Sequence, residues 1–136
     1  MRRYIAFLRG INISGKNKIP MAELKKSFEN QNFSQVKTYL NSGNVIFSSD
    51  EDHLDKLTGQ IESTIKKQFG FDIPVFVISK EELHTLLHNA PDWWGSGAKE
   101  IYDNLIFILP PATFSEVFLE IGEPKEAFEK IEHYKN

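Results

Sequence analysis

The residues with the clearest chemical potential are GINISGKN, at 10–17. Glycine, four residues, glycine and lysine nearly match a phosphate-binding loop. In that loop backbone N–H groups and the lysine cradle phosphates, and a following hydroxyl binds magnesium. Here Asn17 stands in place of the hydroxyl, and Pro20 sets the helix start too late. No strand ends in the aspartate that normally holds the metal, so nucleoside triphosphate hydrolysis is disfavoured. Looser anion binding is more plausible, through loop amides together with Arg9, Lys16 and Lys18. The competing reading is a surface connection whose glycines satisfy turn geometry.

Other candidates are weaker. His84 and His88 have helical spacing that can grip a metal from one face, but no third ligand is evident and a solvated helix face is the better reading. His53 and His133 carry no pattern. Trp93 and Trp94 sit in a glycine-containing loop and suit a contact site, a lid or a plug at a core edge. No serine–histidine–acid set or paired carboxylates can be located, and neither a metal nor a cofactor is expected.

Positioning these residues requires a sheet. Residues 3–9 alternate Tyr4, Ala6, Leu8 with Ile5, Phe7, Arg9, so both faces carry apolar groups and both are expected to be covered. Pro20 suits a first helical turn, and Met21, Leu24 and Phe28 give its buried stripe. Strands at 36–40 and 44–48 flank the turn Asn41, Ser42, Gly43, forming a hairpin. Ser49 or Asp50 can cap a helix with Leu54, Leu57, Ile61, Ile65 and Phe69 on one side, and Gly70 stops it. Residues 73–78 form another apolar strand.

Strand, helix, hairpin, helix, strand is the split βαβ order. The expected class is α+β: a ferredoxin-like βαββαβ antiparallel sheet over residues 1–78, followed by a partial second α/β subdomain over 79–136. Within the latter, Ser79 with Glu82 and Thr113 with Glu116 read as capping boxes. Residues 102–109 read as a strand, and Pro124 opens a last helix with Phe128 and Ile131.

A ferredoxin-like sheet invites RNA recognition through aromatic residues on its central strands. The third strand offers Asn44 and Ile46 where stacking rings belong, so that signature is absent. Basic loops and Tyr39 remain able to hold a single strand, but core packing is the preferred reading of these aromatic residues.

The chain has 136 residues, a net charge of -3 and no cysteine, which removes disulfides and thiolate chemistry and fits a reducing, cytoplasmic compartment. No segment is long and apolar enough to span a membrane. Residues 1–49 hold eight basic and two acidic residues, against eight basic and 17 acidic in the remainder. A basic first third suggests an anionic partner, or complements the acidic remainder across an internal interface.

The stretches RGINISGKNKIPMAEL at 9–24, TYLNSGNVIF at 38–47 and FGFDIPVFV at 69–77 closely resemble the bacterial family catalogued as domain of unknown function 1697. Matching positions are Arg9, Gly10, Asn12, Gly15, Met21, Leu24, Tyr39, Ser42, Gly43 and Asn44. The resemblance implies a ferredoxin-like N-terminal unit and a second α/β subdomain, with no established activity, substrate or cofactor. It also implies a longer chain with a basic, asparagine-containing C-terminal motif, which this sequence lacks, as a truncated or shortened member would.

In a split βαβ sheet strands one and three are antiparallel neighbours, so residues 9–12 are expected beside Ser42 to Asn44. Arg9, Asn12, Ser42 and Asn44 would then form one polar cluster, either a binding site or a network locking the turn. The expected ligand-binding set is Arg9, Asn12, Lys16, Lys18, Tyr39, Ser42 and Asn44. Three functions follow: a binding module for an anionic small molecule, nucleotide or nucleic acid; an enzyme of unknown reaction at the same cluster; or an assembly protein, such as a homodimer, whose partner covers the sheet. Whether the chain is an enzyme stays open, because the motifs supply no general acid or base.

Overall fold

A computed structural model describes residues 1–91, 94, 105, 107–109 and 112–121. The strands are β1 (Arg2–Leu8), β2 (Ser34–Tyr39), β3 (Asn44–Ser49) and β4 (Val75–Ser79). They form one sheet in the order β2-β3-β1-β4, every adjacent pair antiparallel. Helix α1 (Met21–Glu29) connects β1 to β2, and α2 (Leu54–Phe69) connects β3 to β4. This is the ferredoxin-like split βαβ arrangement of an α+β protein.

Period-two alternation decides which side chains face the helices. Tyr4, Ala6 and Leu8 from β1, Val45 and Phe47 from β3, and Val75 and Val77 from β4 are all buried on the inner face. Against them pack Leu24 and Phe28 of α1 and Leu57, Ile61 and Ile65 of α2. Phe47 is the hub, with ring centroids 4.6 Å from Phe33, 5.4 Å from Phe28 and 5.7 Å from Tyr4. Burying each such side chain contributes roughly 1.5–3 kcal/mol, so this face carries most of the sheet's stability.

The opposite face is less closed. Ile5, Phe7, Ile46 and Phe76 are half-buried, whereas Ile78 is buried. Full cover was expected on both sides of β1, and only the inner side has it. Phe7 and Phe76, adjacent in the β1–β4 register, stack at 6.4 Å.

Pro20 is the N-cap of α1, with extended backbone (φ -63°, ψ 134°) and no side-chain cap bond. Helix α2 starts later than expected, at Leu54 after an N-cap at His53, and Leu54 itself is exposed. Ser49 does not cap it: Ser49 still belongs to the β3 ladder opposite Arg2, and its Oγ accepts from the Glu51 N–H at 3.1 Å. Gly70 closes α2 in the left-handed conformation at φ 79°, as its sequence position indicated.

Two further helices follow, α3 (Lys80–His88) and α4 (Phe114–Ile121). Ser79 Oγ accepts from the Glu82 N–H at 3.1 Å at the start of α3. At α4, Thr113 Oγ1 accepts from the Glu116 N–H at 3.3 Å and donates to Glu116 Oε1 at 3.1 Å. The expected strand at 102–109 is not found where it can be seen: Leu105 and residues 107–109 lie in no strand. The rest of that stretch, Trp93 and the helix anticipated from Pro124 lie outside the described residues. The chain divides into two compact units, Met1–His84 and Thr85–Asn136.

Candidate anion-binding rim

The β1–β3 register sets Phe7 opposite Asn44, and the Leu8 N–H donates to the Gly43 carbonyl at 2.8 Å. The end of β1 and the start of β3 therefore share one rim of the sheet. Gly43 makes this approach possible. Its φ is 90°, and a Cβ there would stand 2.7 Å from Ile11 Cδ1 and 2.9 Å from Leu8 Cβ. Ile11, fully buried, is thereby pressed under the turn and anchors the loop that follows β1.

That loop folds on itself. The Lys16 N–H donates to the Ile13 carbonyl at 2.9 Å, and the Asn12 N–H to the Asn17 carbonyl at 3.1 Å. Asn17 Nδ2 donates to the Gly10 carbonyl at 3.0 Å, so the residue standing where a phosphate loop has its hydroxyl is spent inside the loop. The Asn12 and Lys16 amides are thus engaged inside the loop rather than turned outward. Neither of these two amides is therefore left to cradle a phosphate. Asn12, Ser14 and Asn17 lie at φ 56°, 52° and 49°, a left-handed region that asparagine tolerates better than most residues.

Asn12 then ties the loop to its surroundings. Its Oδ1 accepts from the Ile19 N–H at 2.8 Å. Its Nδ2 donates to the Ile19 carbonyl at 3.0 Å and to the Asn41 carbonyl at 2.8 Å. Both amide hydrogens are used, one of them across 29 residues of sequence. The β2–β3 turn has its own lock: Asn44 Nδ2 donates to the Tyr39 carbonyl at 2.7 Å and to Ser42 Oγ at 3.1 Å. The Gly43 N–H closes the turn on the Leu40 carbonyl at 3.2 Å.

The two polar stretches therefore meet, but through Asn12 and Asn41. The expected cluster of Arg9 with Asn12, Ser42 and Asn44 is not assembled as one network. Asn12, Ser42 and Asn44 hold backbone and turn. Arg9 continues toward β4, its N–H donating to the Pro74 carbonyl at 3.0 Å. Its side chain is exposed and has neither hydrogen bond nor ion pair among the described residues. Lys16 and Lys18 are likewise exposed and without a carboxylate partner there.

Between loop and turn opens a shallow hollow of about 340 Å³, lined by Asn12, Gly15, Lys18, Ile19, Pro20 and Asn41. The uncapped first turn of α1 begins at its edge, where Pro20 is the N-cap. The first amides of a helix have no intrahelical partner and carry partial positive charge. Gly15, Ile19, Pro20 and Asn41 were not among the expected site residues. Asn41 was visible only as a turn former, because its partner is 29 residues away. A second hollow, of about 310 Å³, is lined by Glu62, Asp72, Ile73 and Pro74. Its acids are engaged: Glu62 Oε2 accepts from the Val75 N–H at 3.2 Å, and Lys66 Nζ meets Asp72 Oδ2 at 3.0 Å.

The remaining titratable groups offer less. His84 and His88 lie exposed on α3, and no group of three or more metal-binding side chains is assembled among the described residues. Tyr4 has its hydroxyl pKa raised, first by burial and then by the nearby Asp52 carboxylate. Its hydroxyl donates to the Glu51 carbonyl at 2.7 Å, which makes it a structural tyrosine of the core rather than a reactive one. Among the described residues no helix is long and apolar enough to cross a membrane.

Fold and rim together define a small α+β protein whose first unit is a ferredoxin-like sheet with an asparagine-locked loop at one end. The chain belongs to the family described as "Protein of unknown function (DUF1697)", whose model matches residues 1–136. It is also similar to the solved structure of the conserved bacterial protein SP0830 from Streptococcus pneumoniae. The TM-score is 0.74 at 30% identity, covering 91% of this chain and 68% of that one. No curated protein matches the sequence.

Proposed function

We propose that this protein is a small binding module for an anionic, phosphate-bearing ligand, held at the rim formed by the loop after β1 and the β2–β3 turn. The observation that carries this reading is the hollow at that rim: Lys18 lines it, Lys16 follows Gly15 at its wall, and neither lysine has a carboxylate partner among the described residues. The start of α1 has no side-chain cap, so its first amides favour an anion, while Glu23 in the same turn offsets part of that potential. Asn12, Ser42 and Asn44 act as positioning residues that hold the loop and turn still. Arg9, Lys16, Lys18 and Tyr39 are the contact residues.

Binding is favoured over turnover because the described residues lining the hollow include no carboxylate or imidazole to act as general acid or base. We assign the site to the ferredoxin-like module at 1–78, with 79–136 as a second subdomain. We take the cytoplasm as its compartment, given the absence of cysteine.

Calorimetric titration with inorganic pyrophosphate and with nucleoside triphosphates, at low and raised salt, tests this. Expected is binding that weakens as salt rises and falls at least about tenfold when Lys16 and Lys18 are both replaced by alanine. Absence of salt-sensitive binding to either ligand overturns the reading.

A further inference from the structure

We infer that the ligand at this rim is a single strand of nucleic acid, with a base stacked on Tyr39 and backbone phosphates on Lys37 and the loop cations; this rests on the anion-binding reading above. Tyr39 is 65% exposed, and its ring has no aromatic neighbour or hydrogen bond among the described residues. It lies on β2, an edge strand of the sheet formed by the described residues. The turn that follows it is locked: Asn44 holds the Tyr39 carbonyl at 2.7 Å, and Gly43 holds that of Leu40 at 3.2 Å. A ring carried on fixed backbone loses little freedom on binding.

The cations extend away from that ring. Register sets Tyr39 opposite Asn44 and Lys37 opposite Ile46, so Lys37 shares Tyr39's face of β2, about 7 Å further along the strand. Arg9 follows the end of β1, which lies two strand spacings from β2, or about 10 Å. Lys16 and Lys18 sit on the loop beyond it. One phosphate cannot reach positively charged groups this far apart, whereas several linked phosphates can. An acidic peptide has carboxylates at comparable spacing but supplies no flat face for every ring it meets. A duplex hides its base faces in the stack, so an exposed tyrosine selects unpaired bases.

Fluorescence anisotropy on the full chain distinguishes these ligands. The probes are labelled oligothymidylate and oligouridylate of about 12 nucleotides, within the usual site sizes of single-strand grooves. A duplex of equal length and inorganic polyphosphate serve as competitors. Expected is preferential single-strand binding. Tyr39→Ala and Tyr39→Leu each weaken it about tenfold or more, Tyr39→Phe retains it, and Lys37→Ala lowers the salt slope by about one. Circular dichroism checks folding, and Tyr39→Leu keeps a residue with bulk in the strand should the alanine variant misfold. If polyphosphate competes fully and the Tyr39 variants bind like the parent, the base-stacking inference falls while the anion reading survives. If neither polyphosphate nor any oligonucleotide binds, both fall.

Discussion

The side-chain amide of Asn12 donates to the main-chain carbonyl of Asn41 at 2.8 Å, joining the loop after the first strand to the turn before the third. The same side chain brackets Ile19, accepting from its N–H and donating to its carbonyl. One residue thus holds the loop, the entry to α1 and the β2–β3 turn in a fixed relation.

Replacing Asn12 by alanine removes all three bonds and leaves a β-carbon without compensation at φ 56°. The expected loss is about 2–4 kcal/mol. Asn12→Asp keeps only the acceptor for the Ile19 N–H and sets a carboxylate against two carbonyl oxygens, so it is expected to lose a similar amount. Denaturant midpoints compare the two. An alanine variant as stable as the parent would show that the side chain holds nothing together.

Gly43→Ala puts a Cβ within 2.7 Å of Ile11 Cδ1 and 2.9 Å of Leu8 Cβ, at φ 90°. Ile11 can rotate its terminal methyl away, but the Leu8 stem is fixed by its strand. Overpacking of this kind costs about 1–3 kcal/mol, to which the strained backbone adds. Urea unfolding measures the loss, and the amide shifts of Leu8 and Ile11 report whether the loop moves.

Leu40 is the opposite case. It sits at φ 64° with its side chain 63% exposed, so its strain is not offset by burial. Leu40→Asn is expected to raise stability by about 0.5–1 kcal/mol, since asparagine visits this region more readily. An increase in melting temperature supports that, and an unchanged or lower one contradicts it.

Much of this architecture was readable in advance, and the failures have identifiable causes. The strands of the core are short apolar runs bounded by turn signals, and Pro20 and Gly70 mark helix ends by local geometry alone, so order and class followed. The start of β2 did not. Gln35 adopts φ 50° beside an irregularity in the β2–β3 ladder. It is pinned by Arg3, whose guanidinium donates to the Gln35 carbonyl at 2.7 Å and to Ser48 Oγ at 3.0 Å. That contact joins residues 32 and 45 positions apart, which no local window contains. The start of α2 was misread because Ser49 and Asp50 are good caps in isolation. The ladder reaches Ser49, while Asp50 faces the N-terminal amine at 3.5 Å and Asp52 faces Arg2 at 3.6 Å. At the rim, the importance of Asn12 was legible, but its partner Asn41 was not, and the Arg9 N–H turned out to pair with the Pro74 carbonyl just before β4.

Alkaline titration offers a check on the core. Burial and Asp52 raise the Tyr4 hydroxyl above its ordinary value of 10.0, so the folded state retains that proton longer than the unfolded chain. The stabilisation is fully present below about pH 10 and is lost as pH rises through the folded value. Ultraviolet absorbance should show a late-ionising tyrosine that Tyr4→Phe removes, and the same substitution should flatten the alkaline decline in stability. A tyrosine titration curve unchanged by Tyr4→Phe at its alkaline end would contradict this environment.

The most direct test of the rim as an anion site is backbone amide shift mapping during titration with inorganic pyrophosphate at low salt. Saturable shifts concentrated on Gly15, Lys16, Lys18, the first turn of α1 and Asn41, fading as salt is added, are the predicted result. Uniformly small shifts, or a response centred on α2 and β4 instead, would contradict it.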